Sequence, residues 1–289
     1  MPRVSLIKGD DRREITRSSL EIIFDDVKKG LATRQPVIKP NFVSSTIQLA
    51  SSHVDQIRGI LDFLTGFYHD KIIIAEAACY DTIKAYKNFD YMNLPDEYNV
   101  ELVDLNIGPY ETFSITGRDN KPITVKISSL LLDKNNYLIS AAKMKTHDSV
   151  VVTLSIKNVA VGSIVGIDKK DVHQGVRNTN LNIAGLAERV WPDLATIDGF
   201  EGMEGDGPTG GDPVLLNIAV ASTDALAADR VACEIMGVEF HSVGYLYYCA
   251  EKGLGEADMG KIEVLGERVS DCVRPFRLHH AVEEQYAWK

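Results

Sequence analysis

Lys71-Ile72-Ile73-Ile74-Ala75 is the stretch on which the fold turns. Four consecutive apolar residues, three of them β-branched, suit a strand buried on both faces rather than the alternation of a half-exposed one. A strand covered on both faces needs helices on either side of its sheet, and the neighbouring segments supply them. Ser51-Ser52 can cap a helix through Tyr68, whose Val54, Ile57, Leu61 and Leu64 recur every three or four residues. On the other side, Asp81 to Met92 reads as a helix and Val100-Glu101-Leu102-Val103 as the next strand. Further out, Val4-Ser5-Leu6-Ile7 and Pro36-Val37-Ile38-Lys39 read as strands. The helix between them, Ser18 to Lys29, carries Leu20, Ile23 and Val27 on one stripe. Strands separated by helix-length segments predict an α/β fold, a largely parallel sheet covered by helices with right-handed crossovers.

The pattern then changes. Thr112 to Thr116 and Ile123 to Ile127 flank Gly117-Arg118-Asp119-Asn120-Lys121, which predicts a small antiparallel hairpin insertion around 111–127. Tyr137 to Ser140 reads as another buried strand, and 149–166 suits either a buried helix or a strand. Leu181 to Val190 reads as a helix, Leu194 to Ile197 and Leu216 to Ala221 as strands. Thr223 or Asp224 caps a helix to Met236; a helix over Val243 to Glu251 and a strand over Lys261 to Leu265 follow. With no repeat and no linker, the expectation is a single α/β domain over 1–289, with 105–135 the one segment that could form a small lobe.

The formal charge of −10, from 31 Lys+Arg against 41 Asp+Glu, opposes general binding to nucleic acid or anionic membrane, which needs a positive field. No run approaches the ~18 apolar residues of a membrane span. Met1-Pro2-Arg3-Val4 does not open a secretory signal, so a cytoplasmic location is expected. Cys79, Cys233, Cys249 and Cys272 lie too far apart for a zinc ribbon or a compact iron–sulfur run, so no such cluster is expected from the chain's own cysteines. Homo-oligomerisation is left open.

Several polar clusters fall where predicted strands stop, the usual ligand position of open α/β sheets. Lys39-Pro40-Asn41 follows the second strand. Lys143-Met144-Lys145-Thr146-His147 follows the Tyr137 strand, with Ser155-Ile156-Lys157-Asn158 just beyond, a concentration of cations in an acidic chain. Lys157 interrupts an apolar stretch, where an unpaired ammonium tends to lose its proton and become a base or Schiff-base nucleophile. His173 can supply a near-neutral acid or base. Glu76 can orient a lysine. Asp224 reads as a helix cap, and Asp229 as a partner for a pocket lysine.

The stretch 198–211, with six glycines and a proline, reads as an irregular acidic loop after the Leu194 strand. Its carboxylates Asp198, Glu201, Glu204 and Asp206 suit a divalent metal, but neither an EF-hand nor a Walker nor a dinucleotide-binding spacing is present. No Gly-x-Ser-x-Gly or His-Glu-x-x-His motif occurs, so serine-hydrolase and zincin readings lack support.

In this order, Lys39-Pro40-Asn41, Lys143 to His147, Thr153 to Asn158, His173, Asp198-Gly199, Gly207-Pro208-Thr209-Gly210-Gly211, Ala221 to Asp224 and Met236-Gly237 resemble the family catalogued as domain of unknown function 362. The resemblance covers roughly residues 35–240 and is specific as an ordered set. It implies no established reaction. Some relatives carry ferredoxin-like cysteine clusters that are absent from this chain. A looser similarity, at the level of fold alone, is to the nickel-pincer lactate racemase type.

Together these readings predict an enzyme acting on a small anionic metabolite, an organic acid or phosphorylated compound, by proton transfer, isomerisation or elimination with or without a metal. Lys157, His147 and His173 are the expected catalytic groups. Lys39, Asn41, Lys143, Lys145, Asn158, Thr209 and Gly210 are the expected substrate contacts, and Asp198, Glu201, Glu204 and Asp206 the metal ligands. The alternative is a non-catalytic metal- or cofactor-binding accessory module for a redox partner.

Overall fold

A computed structural model describes residues 1–289 apart from the side chain of Ile167. Eleven strands are present: β1 Arg3–Lys8, β2 Gln35–Lys39, β3 Ile72–Glu76, β4 Val100–Asp104, β5 Tyr110–Thr116, β6 Pro122–Ser128, β7 Asn136–His147, β8 Val151–Thr153, β9 Leu194–Glu204, β10 Asp212–Ser222 and β11 Glu263–Gly266. Nine build one sheet in the order β11-β1-β10-β9-β7-β2-β3-β4, with β8 paired to β7. The run β9-β7-β2-β3-β4 is parallel throughout, and β10 is antiparallel to both β9 and β1. The sheet is thus mostly parallel, and β5 and β6 form the separate antiparallel hairpin expected near 111–127.

Two apolar cores sandwich the sheet, as alternation along its strands requires. Val37 and Leu138 face one core, Ile38 and Ile139 the other. Helices Arg12–Ile22, Phe24–Leu31, Val54–Thr65 and Thr82–Asn88 cover the second face. Helices Ser155–Gly162, Val176–Arg189, Ala225–Met236 and Gly244–Glu251 cover the first. Among the described residues no helix is long and apolar enough to cross a membrane.

Two expectations are corrected. The segment 198–211 is not a loop: β9 continues to Glu204, β10 begins at Asp212, and only 205–211 turns. Two of its glycines serve close packing instead. A Cβ on Gly199 would press on Ile218, and one on Gly202 would meet Met144 O and Phe276. Likewise Lys143 to His147 is strand, not loop, because β7 runs on to His147 with every residue buried.

That extension positions the candidate site. β2 ends at Lys39 opposite Ser140 of β7, so seven further residues of β7 project past the end of its neighbour. The chain then reverses at Asp148–Val150 into β8 and enters the helix Ser155–Gly162, which returns over β7. Asp229, from the helix Ala225–Met236, caps that helix by accepting from Ser155 N (2.8 Å) and Ile156 N (3.0 Å). It therefore holds a helix end rather than the pocket lysine expected of it. Burial raises its carboxyl to about 7 against the pull of those two N–H groups. Asp224 caps its own helix through Ala227 N.

Candidate functional site

Four lysines are buried at the carboxyl ends of the parallel strands: Lys39, Lys143, Lys145 and Lys157. Each meets a different environment. Lys39 Nζ is 2.9 and 3.0 Å from the two carboxylate oxygens of Glu76 at the end of β3, and it also donates to Pro40 O and Asn158 Oδ1. Asn158 in turn accepts from Asn41 Nδ2 and donates to Lys39 O and Ser140 Oγ, which ties β2, β7 and the Ser155–Gly162 helix together. Gly162 lets the lysine pass; a Cβ there would collide with Lys39 Cε and Nζ.

Lys145 Nζ donates to Asn41 Oδ1 and Ala50 O, both at 2.6 Å. With no carboxylate in that contact, burial pushes its pKa well below the ordinary lysine value, and the charge of Lys157 adds to the effect. Lys143 faces Asp198 across the parallel register of β7 and β9, 3.8 Å away, and Arg12 Nε reaches the same carboxylate at 3.2 Å. Burial lowers Lys143 as well, and Asp198 opposes it.

Lys157 is the exception. Its Nζ lies 3.0 Å from His147 Nε2 and makes no other hydrogen bond among the described residues. Burial draws its pKa down to about 8, while the charge of Asp148 pulls the other way. His147, at the end of β7, is lowered to about 3 by burial and then by Lys157, so it is neutral. His147 Nδ1 lies 3.0 Å from Asp148 Oδ1 and 3.1 Å from Ser149 N. Burial works upward on Asp148, but hydrogen bonds from His147 and Ser149 outweigh it and hold the carboxyl below its usual range.

One tautomer serves both states of Lys157. Nδ1 carries the proton towards Asp148, and Nε2 accepts from Lys157. A free amine keeps two N–H groups, so it donates to Nε2 as the ammonium does and leaves its lone pair open to the cavity.

His173 is parallel to His147, their ring centroids 6.1 Å apart and their planes within 2°. Burial draws His173 towards about 4. It stands at the mouth, open to solvent, so water screens much of that effect. Both histidines and Lys157 line a cavity of about 320 Å³, together with Cys79, Lys169 and Lys170. Lys169 has no carboxylate within ion-pair distance among the described residues, and burial lowers its pKa. Sequence reasoning missed Lys169, Lys170 and Cys79; the pair Lys169-Lys170 before His173 was the available signal. Lys39 and Lys157 meet at a narrow recess of about 50 Å³ deeper in, room for a water or two.

The remaining expected contacts are distributed differently. The polar atoms of Lys39, Asn41, Lys145 and Asn158 expected to meet a substrate are already hydrogen-bonded to protein partners, and Lys143 faces Asp198 at ion-pair distance. Thr209 and Gly210 are exposed at the turn between β9 and β10, where Pro208 alone of that trio reaches the cavity. The four carboxylates do not converge. Asp198 pairs with Arg12 and Lys143, Glu204 accepts from Arg277 N, and Asp206 accepts from His280 Nδ1 at 2.9 Å. Glu201, half-buried on β9, sits opposite Leu215 of β10. Among the described residues the one group with metal-ligand spacing is Asp206 with His279 and His280.

Residues 37–234 match the sequence family described as domain of unknown function 362, and the chain belongs to that family. It is 27% identical over 157 residues to a thylakoid-associated protein of Synechocystis sp., a match spanning 53% of this chain and 47% of that protein. Among solved structures, a Thermotoga maritima protein superposes with a TM-score of 0.51 at 13% identity, over 79% of this chain and 60% of the other. The lactate racemase apoprotein of Thermoanaerobacterium thermosaccharolyticum superposes with a TM-score of 0.50 at 12% identity, over 82% and 56%. These likenesses carry the α/β fold. The chain spans about half the length of the curated relative it matches.

Proposed function

We propose that this protein is an enzyme that binds a small anionic metabolite in the His147–Lys157–His173 cavity and moves a proton on it. The observation that carries the reading is the Lys157–His147 contact at 3.0 Å, a buried lysine whose Nζ contacts a neutral imidazole instead of a carboxylate. At neutral pH Lys157 lies within reach of both protonation states, and His147 relays the proton towards Asp148. Lys169 and Lys170 supply positive charge for the anion, and His173 stands at the entrance. Isomerisation or elimination beside a carboxylate or phosphate is the reaction class this supports. Lys39, Asn41, Lys143, Lys145 and Asn158 act in this reading as the frame that fixes β7 and the Lys157 helix.

Calorimetric titration with a panel of 2-hydroxy acids, 2-oxo acids and inorganic phosphate tests the reading. Saturable binding of at least one probe, weakened at least about tenfold by Lys157→Met and by Lys169→Ala, is expected. Affinity unchanged in both variants overturns it. The second reading, a metal-carrying accessory module, draws on Asp206, His279 and His280. The Ala281 N–H that donates to His279 Nδ1 leaves Nε2 to carry the proton in the neutral ring, which weighs against ligation there. One zinc equivalent retained by wild type and lost in His279→Ala/His280→Ala would favour that module.

A further inference from the structure

We infer that Lys157 forms a Schiff base with a small carbonyl compound bearing an anionic group, and that His147 moves the protons of the condensation. The inference rests on the anion-pocket reading above and names its substrate class. Among the four buried lysines of the described residues, Lys157 alone has an Nζ that contacts no carboxylate, carboxamide or carbonyl oxygen. A lysine held by a carboxylate keeps its proton and its lone pair is closed to chemistry. Lys157 instead faces an imidazole and a cavity of about 320 Å³. Such a space suits a molecule of a few carbons, at the lower end of ordinary ligand pockets.

The chemistry closes with the groups present. The free amine of Lys157 adds to the carbonyl carbon, a C–N bond forms, and the carbonyl π pair passes to oxygen. His147 Nε2, 3.0 Å away, takes the proton released by nitrogen and returns it to that oxygen. A second proton, drawn from solvent at the open mouth of the cavity, lets the nitrogen lone pair expel the hydroxyl as water, leaving a protonated imine. Amine, carbonyl and one proton give iminium and water, with no oxidant or reductant. The positive nitrogen draws electrons from the adjacent carbon, which is how an imine makes a neighbouring C–H acidic enough for isomerisation or elimination. Lys169, which has no carboxylate within ion-pair distance among the described residues, and Lys170 line the same cavity and pair with the anionic end.

The test traps the imine. The full chain is incubated with glyoxylate or dihydroxyacetone phosphate, reduced with cyanoborohydride and mapped by peptide mass spectrometry. Glycolaldehyde serves as the uncharged control. Each unit by which a lysine pKa falls gives about tenfold more free amine, so the Lys157 peptide should exceed any surface lysine by about tenfold or more. Glycolaldehyde should label it poorly. His147→Gln should retain probe binding and slow trapping by about a hundredfold. Lys157→Met, which removes a buried charge, should fold and lose the adduct. Adducts spread over surface lysines with Lys157 unmodified overturn the inference. Saturable binding of either probe, seen in the His147 and His173 ring resonances, without an adduct at Lys157 overturns the covalent step alone. Absence of both binding and adduct overturns it together with the anion-pocket reading.

Discussion

Lys39 and Lys157 meet at one recess beside a short helix, both nearly sealed from water, and they illustrate two ways to bury an ammonium. Lys39 is surrounded by acceptors, with both oxygens of Glu76, a carbonyl and an amide oxygen around one nitrogen. Its role is architectural, because each partner belongs to a different element. Lys157, adjacent in the chain to the Asn158 that Lys39 touches, has one neutral neighbour and an opening. The same residue type is thus a brace where its charge is matched and a reactive group where it is not. Burial alone does not distinguish the two; the partners do.

The largest effect that could break this comparison comes from Lys39→Met. It strands Glu76 as an uncompensated buried carboxylate and should cost about 3–5 kcal/mol in urea unfolding. Glu76→Gln added to it should restore a substantial part. If the single variant is as stable as wild type, the brace does not exist. Lys157→Met should act with the opposite sign at pH 7, leaving stability unchanged or raising it by up to about 2 kcal/mol, since the penalty on burying that charge disappears. A loss as large as that at Lys39 would erase the distinction.

The pH dependence sharpens the comparison further. Lys157 has a folded pKa of about 8, below its unfolded value, so between about pH 8 and 10.5 the unfolded chain binds more protons. Stability from this group therefore rises with pH across that window, and Lys157→Met should reduce the slope by up to one proton, leaving the share of Lys143, Lys145 and Lys169. His147 stays neutral in the fold down to about 3, so stability is lost as pH falls from about 6.5 towards that value. His147→Gln should flatten the acid limb of the unfolding curve. Gly162→Ala tests the brace from the helix side. Its added methyl meets the pinned end of Lys39 and should cost about 1–3 kcal/mol, with a smaller penalty when Lys39→Met is already present.

Much of the fold was legible. Ile72-Ile73-Ile74 is β3, buried between helices, and the β5–β6 hairpin falls where its turn residues put it. The catalytic trio proposed from the sequence, Lys157, His147 and His173, does gather at one cavity. The acidic glycine stretch was misread because glycine serves two purposes. At 205–211 it makes a turn, whereas at Gly199 and Gly202 it admits a neighbour's atoms against a strand. Those two uses look alike in sequence and differ in what lies across the sheet.

The sequence by itself determined the alternation of strands and helices, because hydrophobic period and β-branching are local properties of the chain. It also marked the cations that interrupt apolar runs, since a charge in such a run must find a partner or lose its proton. Only the tertiary structure decided which partner each one found. Parallel register set Asp198 beside Lys143, the end of β3 set Glu76 on Lys39, and the reversal after His147 brought its ring back to Lys157. Electrostatic fate depends on distances of a few ångströms between residues tens of positions apart, and those distances exist only once the sheet has closed around them.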